Sequence, residues 1–187
     1  EDIKRINTAG KHLLSVVNNV LDLSKAESGL VEIVNKEIKI SSLLEDIKSA
    51  FFTISKEKKN TFIIENKSDI LSIRNDKTKL RQIIYNIVDN ALKFTNNGTV
   101  HLCYKSDEKT VSFIISDTGI GMTDEQISRL FFEFQQADTE DKKEYGGTGL
   151  GLLISKLYLD QMGGKISVES NYQEGSIFTI TLPKNTI

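Results

Sequence analysis

Two pairs of short apolar segments constrain the fold of this chain more than any other feature of its sequence. Residues 99–106 and 109–116 are rich in β-branched and aromatic side chains, and a polar turn at Asp107 and Glu108 separates them. Residues 165–170 and 176–183 repeat the arrangement near the end of the chain. Segments joined by tight turns pair antiparallel, so the sequence predicts a largely antiparallel sheet, which the short segments 61–66 and 69–75 would extend.

Amphipathic segments between these strands predict helices. One follows a cap at Ser41 or Ser42, a second follows a cap at Asp76, a short one begins near Thr123, and a last one spans residues 149–163. The apolar face expected for the first of them comprises Leu43, Leu44, Ile47, Ala50, Phe51 and Ile54. Because helices and strands do not alternate strictly, the pattern favours an α+β fold with helices layered on one sheet.

The amino-terminal segment predicts a separate long helix from Ile3 to Leu23. Its apolar residues recur at seven-residue spacing in two rows, Ile6, Leu13 and Val20 beside Ala9, Val16 and Leu23, and the stripe is widened by Leu14, Val17 and Leu21. So broad an apolar stripe suits the inside of a helical bundle. Gly29 is suited to the position just past the helix end, and we therefore expect two domains, residues 1–30 and residues 31–187.

Composition excludes several functional classes. The 187 residues carry 24 basic and 26 acidic side chains, so there is no large field to attract nucleic acid or an acidic membrane. A single cysteine and two histidines cannot build a disulfide framework or a Cys/His zinc site. No apolar run is long enough to span a membrane. We expect a soluble, cytoplasmic domain, with membrane attachment only through parts of a parent protein outside these residues.

The helix after Asp76 carries an unusual polar stripe. Asn86, Asn90 and Lys93 stand at i, i+4 and i+7, which places them on one side of a helix. Its opposite side is apolar, with Leu80, Ile83, Ile84, Ile87, Val88 and Ala91. The stripe can be a solvated surface. Alternatively, an asparagine oxygen can join the shell of a Mg²⁺ that binds mainly through nucleotide phosphates, with the lysine neutralising a phosphate.

A second polar feature follows the apolar strand that ends at Asp117. Gly119 and Gly121 come after it at alternate positions. An acidic turn after a strand would explain this pattern. A purine site would also explain it, because a carboxylate accepts hydrogen bonds from the exocyclic amine of adenine and matches poorly the carbonyl that guanine presents there. The glycines would then let the backbone approach the ring.

The third feature is a glycine-rich start to the last helix. Glycines at 146, 147, 149 and 151 precede or open it, and amides at a helix amino terminus can hold phosphate. A hinge for the preceding polar loop is the simpler interpretation. A dinucleotide fingerprint, with Glu169 as its ribose contact, is rejected because polar loop precedes the glycines and Leu152 replaces the third glycine. A Walker A loop is rejected because Gly-Lys-Ser/Thr is absent.

The order of these features resembles that of the sensor histidine kinases. NIVDNALKFT resembles the N box of that family, DTGIGM the G1 box, FFEFQQAD the F box and GGTGLGL the G2 box, while KHLLSVVNNVLDLSKAESG is similar to the second helix of the dimerisation and phosphotransfer bundle. The resemblance implies a two-layer α/β sandwich of the Bergerat or GHKL type preceded by a long helix. DNA gyrase, MutL mismatch-repair proteins and heat-shock chaperones share that superfamily.

The resemblance also implies catalytic and binding roles. Asn90 would ligate Mg²⁺, Asn86 would support the phosphates of ATP, and Lys93 would contact them. Phe94 would pack against adenine, and Asp117 would bind the adenine amine, with Gly119 and Gly121 bordering the ring. Residues 135–147 would form a lid over ATP, with Phe131 and Phe134 at its base, although Phe132 departs from the polar residue that is common there. The triphosphate would be surrounded by Gly147, Thr148, Gly149, Leu150 and Gly151.

The activity implied is transfer of the γ-phosphate of ATP to a histidine, then to an aspartate in the receiver domain of a response regulator. The family acts as a homodimer whose first bundle helix bears that histidine in an H box. No H box occurs in these residues, and we interpret His12 and His101 as structural.

Two rival interpretations follow from the same resemblance. One is a GHKL-type ATPase, which carries a water-activating glutamate where this chain has Asn86. The other is a pseudokinase that binds nucleotide without turnover.

Overall fold

The computed structural model describes residues 2–28, 32–131 and 149–184. In chain order the elements are α1 Asp2–Glu27, β1 Lys36–Lys39, α2 Ile40–Glu57, β2 Thr61–Asn66, β3 Ser72–Asn75, α3 Lys77–Phe94, β4 Thr99–Ser106, β5 Thr110–Asp117, α4 Asp124–Arg129, α5 Gly151–Gln161, β6 Lys165–Asn171 and β7 Gly175–Pro183.

The main sheet has five strands in the order β2-β4-β5-β7-β6. Three of its pairings are antiparallel, and β2 pairs parallel with β4. The register places Asp117 opposite both Val100 and Ser176, at the end of β5. The largely antiparallel sheet is confirmed. Strands β1 and β3 form a separate antiparallel pair. Strand β1 was not predicted, because four residues are too few to show a clear alternation of apolar and polar side chains.

One face of the sheet packs on the helices. Along β4 and β5 alternate residues are fully buried, and they meet the buried face of α3. These core residues are Val100, Leu102, Tyr104, Val111, Phe113, Ile115, Leu80, Ile83, Ile84, Ile87, Val88 and Ala91. The opposite face carries exposed side chains such as Ile63 and Ile177. The α+β class, with helices layered on one side of the sheet, is confirmed.

The predicted serine cap of α2 is wrong. The helix begins at Ile40 after Lys39, whose side chain makes no capping hydrogen bond. The Ile40 amide instead donates to the Leu71 carbonyl at 2.9 Å, so a neighbouring backbone segment takes the place of a capping side chain. Two residues of the predicted apolar face of α2, Ala50 and Ile54, are exposed. The face of α2 that is buried against the core is therefore narrower than the apolar face predicted from the sequence.

The segment predicted as a strand from residue 69 forms β3 only from Ser72. Side chains hold the residues before it in turns, since Ser68 donates its amide to Asn66 Oδ1 at 3.0 Å and Ile70 donates its amide to Ser68 Oγ at 3.1 Å. These local bonds compete with strand pairing.

The predicted long helix is confirmed as α1, and most of the apolar side chains that the structure describes between Leu13 and Leu21 are exposed. Leu13, Leu14, Val17, Val20 and Leu21 are between 43% and 64% exposed. Its last turns differ: Leu23 and Ala26 are buried in the core shared with the other helices. Hydrogen bonds join this end to the rest of the fold, among them those from Gln161 Nε2 to the Ala26 carbonyl and from Gln82 Nε2 to Asp22 Oδ2, each at 3.1 Å. The proposed division at residue 30 stays a prediction.

Within the residues that the structure describes, no helix has the length and apolar character needed to cross a membrane.

Candidate functional site

Helix α3 positions the polar stripe. Asp76 caps it by accepting hydrogen bonds from the amides of Thr78 and Lys79 at 2.9 and 3.0 Å, and its second oxygen accepts the Val34 amide at 3.0 Å. The predicted cap is therefore confirmed. Asn86, Asn90 and Lys93 lie outside the buried apolar face of α3, and each is partly buried.

Asn86 connects α3 to the first turn of α5. Its Nδ2 donates to the Gly151 carbonyl at 3.1 Å and to Ser155 Oγ at 3.2 Å. Ser155 is fully buried and donates its own hydroxyl to the Gly151 carbonyl at 2.8 Å. A Cβ atom added at Gly151 would come within 3.4 Å of Asn86 Cγ. Asn86 thus holds the start of α5 beside the polar stripe.

Asn90 and Lys93 complete the stripe. Asn90 makes no side-chain hydrogen bond to any other described residue. Burial lowers the pKa of the Lys93 ammonium; the negative charge of Asp89 opposes this effect and the positive charge of Lys58 adds to it. The Lys93 ammonium lies 5.3 Å from the centre of the Phe94 ring. A partly desolvated ammonium attracts a phosphate more strongly than a fully hydrated one does.

Asp117 lies where β5 leaves the sheet, and its side chain is only 9% exposed. Its Oδ1 accepts the Gly119 amide at 2.9 Å, and the Ser176 amide also donates to the carboxyl group. Burial raises the pKa of Asp117, and these two amides act in the opposite direction. The group is therefore a buried, oriented acceptor rather than a solvated turn residue.

The glycines after Asp117 have a packing reason of their own. A Cβ atom at Gly119 would lie 2.4 Å from the Phe94 carbonyl oxygen, and one at Gly121 would lie 1.9 Å from the Asn171 carbonyl oxygen. Gly121 also has a φ of +60°, which favours glycine. Protein backbone therefore explains both positions, and their contact with a purine stays a prediction.

The amino terminus of α5 borders the same region. The helix begins at Gly151 after Leu150, which supplies no side-chain capping bond. The side chain of Leu150 is fully buried, so only its backbone can face a phosphate. Gly149 has a φ of +70°, a conformation that suits glycine. Gly147 and Thr148 lie outside the described residues, as do Phe132, Phe134 and the predicted lid.

At the near end of the predicted lid, Phe131 is described. The Lys156 ammonium lies 5.6 Å from the centre of its ring, a cation–π contact between the segment after α4 and helix α5.

The structure brings together four predicted features: the Asn86 stripe, Phe94, the Asp117 segment and the start of α5. Sequence reasoning missed two residues in contact with them, Ser155 and Ser176. The only signal for Ser155 was a hydroxyl on the apolar face of α5, and Ser176 showed none, because its amide reaches Asp117 through strand pairing.

Comparison with known proteins agrees with this geometry. Residues 75–186 match the family of histidine kinase-, DNA gyrase B-, and HSP90-like ATPases. The chain belongs to this family. The match covers α3, the Asp117 segment and α5, which are the elements that form the candidate site.

The relatives are sensor histidine kinases. The chain is 34% identical to the autoinducer 2 sensor kinase/phosphatase LuxQ of Vibrio vulnificus over 98% of its own length and 22% of that protein. It is 36% identical to the circadian input-output histidine kinase CikA of Synechococcus elongatus, over 100% of its own length and 25% of that protein. The chain thus spans about a quarter of these curated relatives.

Among solved structures, full-length ShkA in complex with AMPPNP superposes with a TM-score of 0.88 at 30% identity, over 99% of this chain and 38% of that one. This HATPase family member is an ATP-binding kinase domain of the sensor histidine kinase type. The identification made from the N, G1 and G2 boxes is confirmed.

Proposed function

We propose that this domain binds Mg-ATP and transfers the γ-phosphate to a histidine outside these 187 residues, from which it passes to an aspartate of a response regulator. The observation that carries the proposal is the meeting of the α3 stripe with the start of α5 through Asn86. Asn86 lies against the first turn of α5, and Asn90 and Lys93 follow it one and two turns along α3, an arrangement that would suit a triphosphate.

Asp117 would bind the adenine end of the nucleotide. Its carboxylate offers only acceptors, which match the exocyclic amine of adenine. Phe94, whose carbonyl accepts the Ile120 amide at 3.2 Å, would border the ring, while Lys93, Gly149 and the amides of Leu150 and Gly151 would contact phosphates. Gly147, at the end of the lid, and Thr148, which follows it, would also contact the phosphates.

The residues present fit a Mg²⁺ that arrives with the nucleotide. Among the described residues no group of three or more His, Cys, Asp or Glu side chains could hold a metal by itself. Asn90 offers a side-chain oxygen that no described residue engages, and Mg²⁺ commonly binds through few protein oxygens while phosphates and water supply the rest. Bound there, the ion would neutralise charge on the phosphates.

Phosphoryl transfer is favoured over hydrolysis by the identity and orientation of Asn86. An amide cannot take a proton from water at neutral pH. Its nitrogen is also committed to the Gly151 carbonyl and Ser155. A clamp ATPase needs a glutamate at position 86. In this structure its carboxylate would face the Gly151 carbonyl oxygen, and the two oxygens would repel each other.

The histidines of this chain are poor candidates for the phosphate acceptor. His101 pairs with Glu65 on β2, with 3.1 Å between His101 Nε2 and Glu65 Oε2, and it lies on the sheet face opposite the helices. His12 belongs to α1, which resembles the second bundle helix rather than the first. The exposed apolar stripe of α1 would be covered by the first bundle helix and by the second copy of a homodimer.

The test is to add the missing helix. The isolated chain should bind Mg-ATP, prefer it to Mg-GTP and leave it nearly intact, because it has neither an acceptor histidine nor a base at position 86. A chain extended upstream, or a separate phosphotransfer bundle, should become labelled by radioactive ATP, since docking brings a histidine nitrogen in line with the γ-phosphate. The label should survive alkali and be lost in acid.

Two outcomes would contradict the proposal. Rapid phosphate release by the isolated chain would favour the clamp ATPase. An extended chain that binds ATP but labels neither itself nor a supplied bundle would favour the pseudokinase.

A further inference from the structure

The turn between β6 and β7 packs tightly against the segment that carries Asp117. A Cβ atom added at Gly175 would lie 2.0 Å from the Asp117 carbonyl oxygen, and one added at Gly121 would lie 1.9 Å from the Asn171 carbonyl oxygen. The Gln173 amide also donates to the Ile120 carbonyl at 2.6 Å. Backbone meets backbone at each of these points, so the two segments cannot move independently without breaking contacts.

One side chain lies at the centre of this contact. Ser170 Oγ accepts the Met122 amide at 2.9 Å, donates to the Gly175 carbonyl at 2.8 Å and lies 3.0 Å from Ser176 Oγ. A hydroxyl has one hydrogen and two acceptor sites. Because its hydrogen serves Gly175, Ser170 accepts from both Met122 and the Ser176 hydroxyl, and all its hydrogen-bonding capacity is used.

The same contact reaches the Asp117 carboxylate. In the sheet, Ser176 of β7 pairs with Ser170 of β6 on one side and with Asp117 of β5 on the other. The Ser176 amide donates a hydrogen bond to the Asp117 carboxyl group. The Gly119 amide, which also donates to Asp117, belongs to the segment that Ser170 holds at Met122. Ser170 therefore fixes, through one bond each, the two stretches of backbone that orient Asp117.

We propose that Ser170 is a positioning residue for purine selection: it holds the β6–β7 turn against residues 117–122 and so orients the Asp117 carboxylate toward adenine. This inference rests on the proposed function, because Asp117 must bind the purine for its orientation to matter. A carboxylate held in one rotamer loses little conformational entropy when it binds the adenine amine. A carboxylate that can rotate must be ordered on binding, which lowers the affinity for ATP and leaves the affinity for GTP unchanged.

The experiment measures the dissociation constants of Mg-ATP and Mg-GTP for residues 1–187 by calorimetry. Ser170→Ala should weaken ATP binding by roughly three- to tenfold, the range expected for ordinary hydrogen bonds, and change GTP binding little. Ser170→Thr keeps the hydroxyl and should retain the preference for ATP. Ser167→Ala is the matched control, because Ser167 lies on the same strand, is exposed and points to the opposite face.

The outcomes separate this inference from the function on which it rests. If Asp117→Asn lowers ATP affinity while Ser170→Ala leaves the ratio of ATP to GTP affinity unchanged, the positioning role is wrong and the purine role of Asp117 stands. If Asp117→Asn changes neither affinity, both are wrong. In the Asp117→Asn background, Ser170→Ala should have no further effect on the ratio, and a full additional loss would overturn the proposal.

A general loss of folding is controlled in two ways. Thermal melts of each variant show whether the domain is intact. Should Ser170→Ala not fold, Ser170→Cys keeps most of the volume with a weaker donor and should lose part of the preference for ATP. An unchanged ratio in a folded Ser170→Cys variant would overturn the proposal.

Discussion

The two ends of the candidate nucleotide site are built differently. At the adenine end, Asp117 is buried, accepts two backbone amides and is flanked by glycines packed against protein backbone. At the phosphate end, Asn90 makes no side-chain hydrogen bond to another described residue, and Leu150 supplies no side-chain cap to α5. One end is already organised by the protein, while the other offers groups that a ligand can engage.

This difference has a physical basis. A base is neutral and flat, so discrimination between purines depends on a donor or acceptor held in one orientation. A triphosphate is highly charged, and mobile donors and a metal can follow its oxygens at little cost. We therefore expect changes at the adenine end to cost more affinity than single changes at the phosphate end.

The largest effect is expected for Asp117→Asn. It replaces one buried carboxylate oxygen by a donor, and ATP affinity should fall by about 1 to 3 kcal/mol, the cost of a poorly matched buried polar contact. Calorimetric titration with ATP and GTP measures this, and Asp69→Asn, at an exposed carboxylate before β3, is the control. A dissociation constant equal to that of the parent would show that Asp117 is a turn residue only.

Asn90→Ala tests the phosphate end and should have a smaller effect. The part of ATP affinity gained on adding Mg²⁺ should fall by about 1 kcal/mol, because the ion loses its protein oxygen and takes a water in its place. Titrations with and without Mg²⁺ isolate this part. Asn90→Asp keeps an oxygen ligand and should preserve the response to Mg²⁺. Equal gains in the parent and the alanine variant would contradict the ligand role.

Ser155→Ala probes the junction between α3 and α5 and should have the smallest effect on binding. Asn86 would keep the Gly151 carbonyl as its partner but lose Ser155 Oγ. The hydrogen bond from the Ser155 hydroxyl to the Gly151 carbonyl would be lost as well. The free energy of unfolding should therefore fall by about 1 to 3 kcal/mol, as for two buried hydrogen bonds, and ATP affinity should fall less than in Asp117→Asn. Chemical denaturation with Ser41→Ala, an exposed serine of α2, as the control measures this. A loss of ATP affinity larger than that of Asp117→Asn would reverse the proposed order of the two ends.

The sequence by itself determined the layers of the fold and the family. The alternation in β4 and β5, the cap at Asp76 and the spacing of Asn86, Asn90 and Lys93 are local patterns, and local patterns determine which face of an element is buried. The capping box at Thr123 formed where the helix was predicted to begin. The order of the boxes identified the histidine kinase resemblance because each box lies within a single element and its adjoining loop.

Only the tertiary structure decided how these elements meet. The acceptor that takes the place of a serine cap on α2 is the Leu71 carbonyl, which accepts the Ile40 amide from 31 residues away in sequence. Ser155 and Ser170 each have a hydrogen-bond partner far away in sequence, Asn86 at 69 positions and Met122 at 48. Periodicity reports burial but carries no information about which distant backbone atom will face a hydroxyl, because that depends on strand order and helix packing.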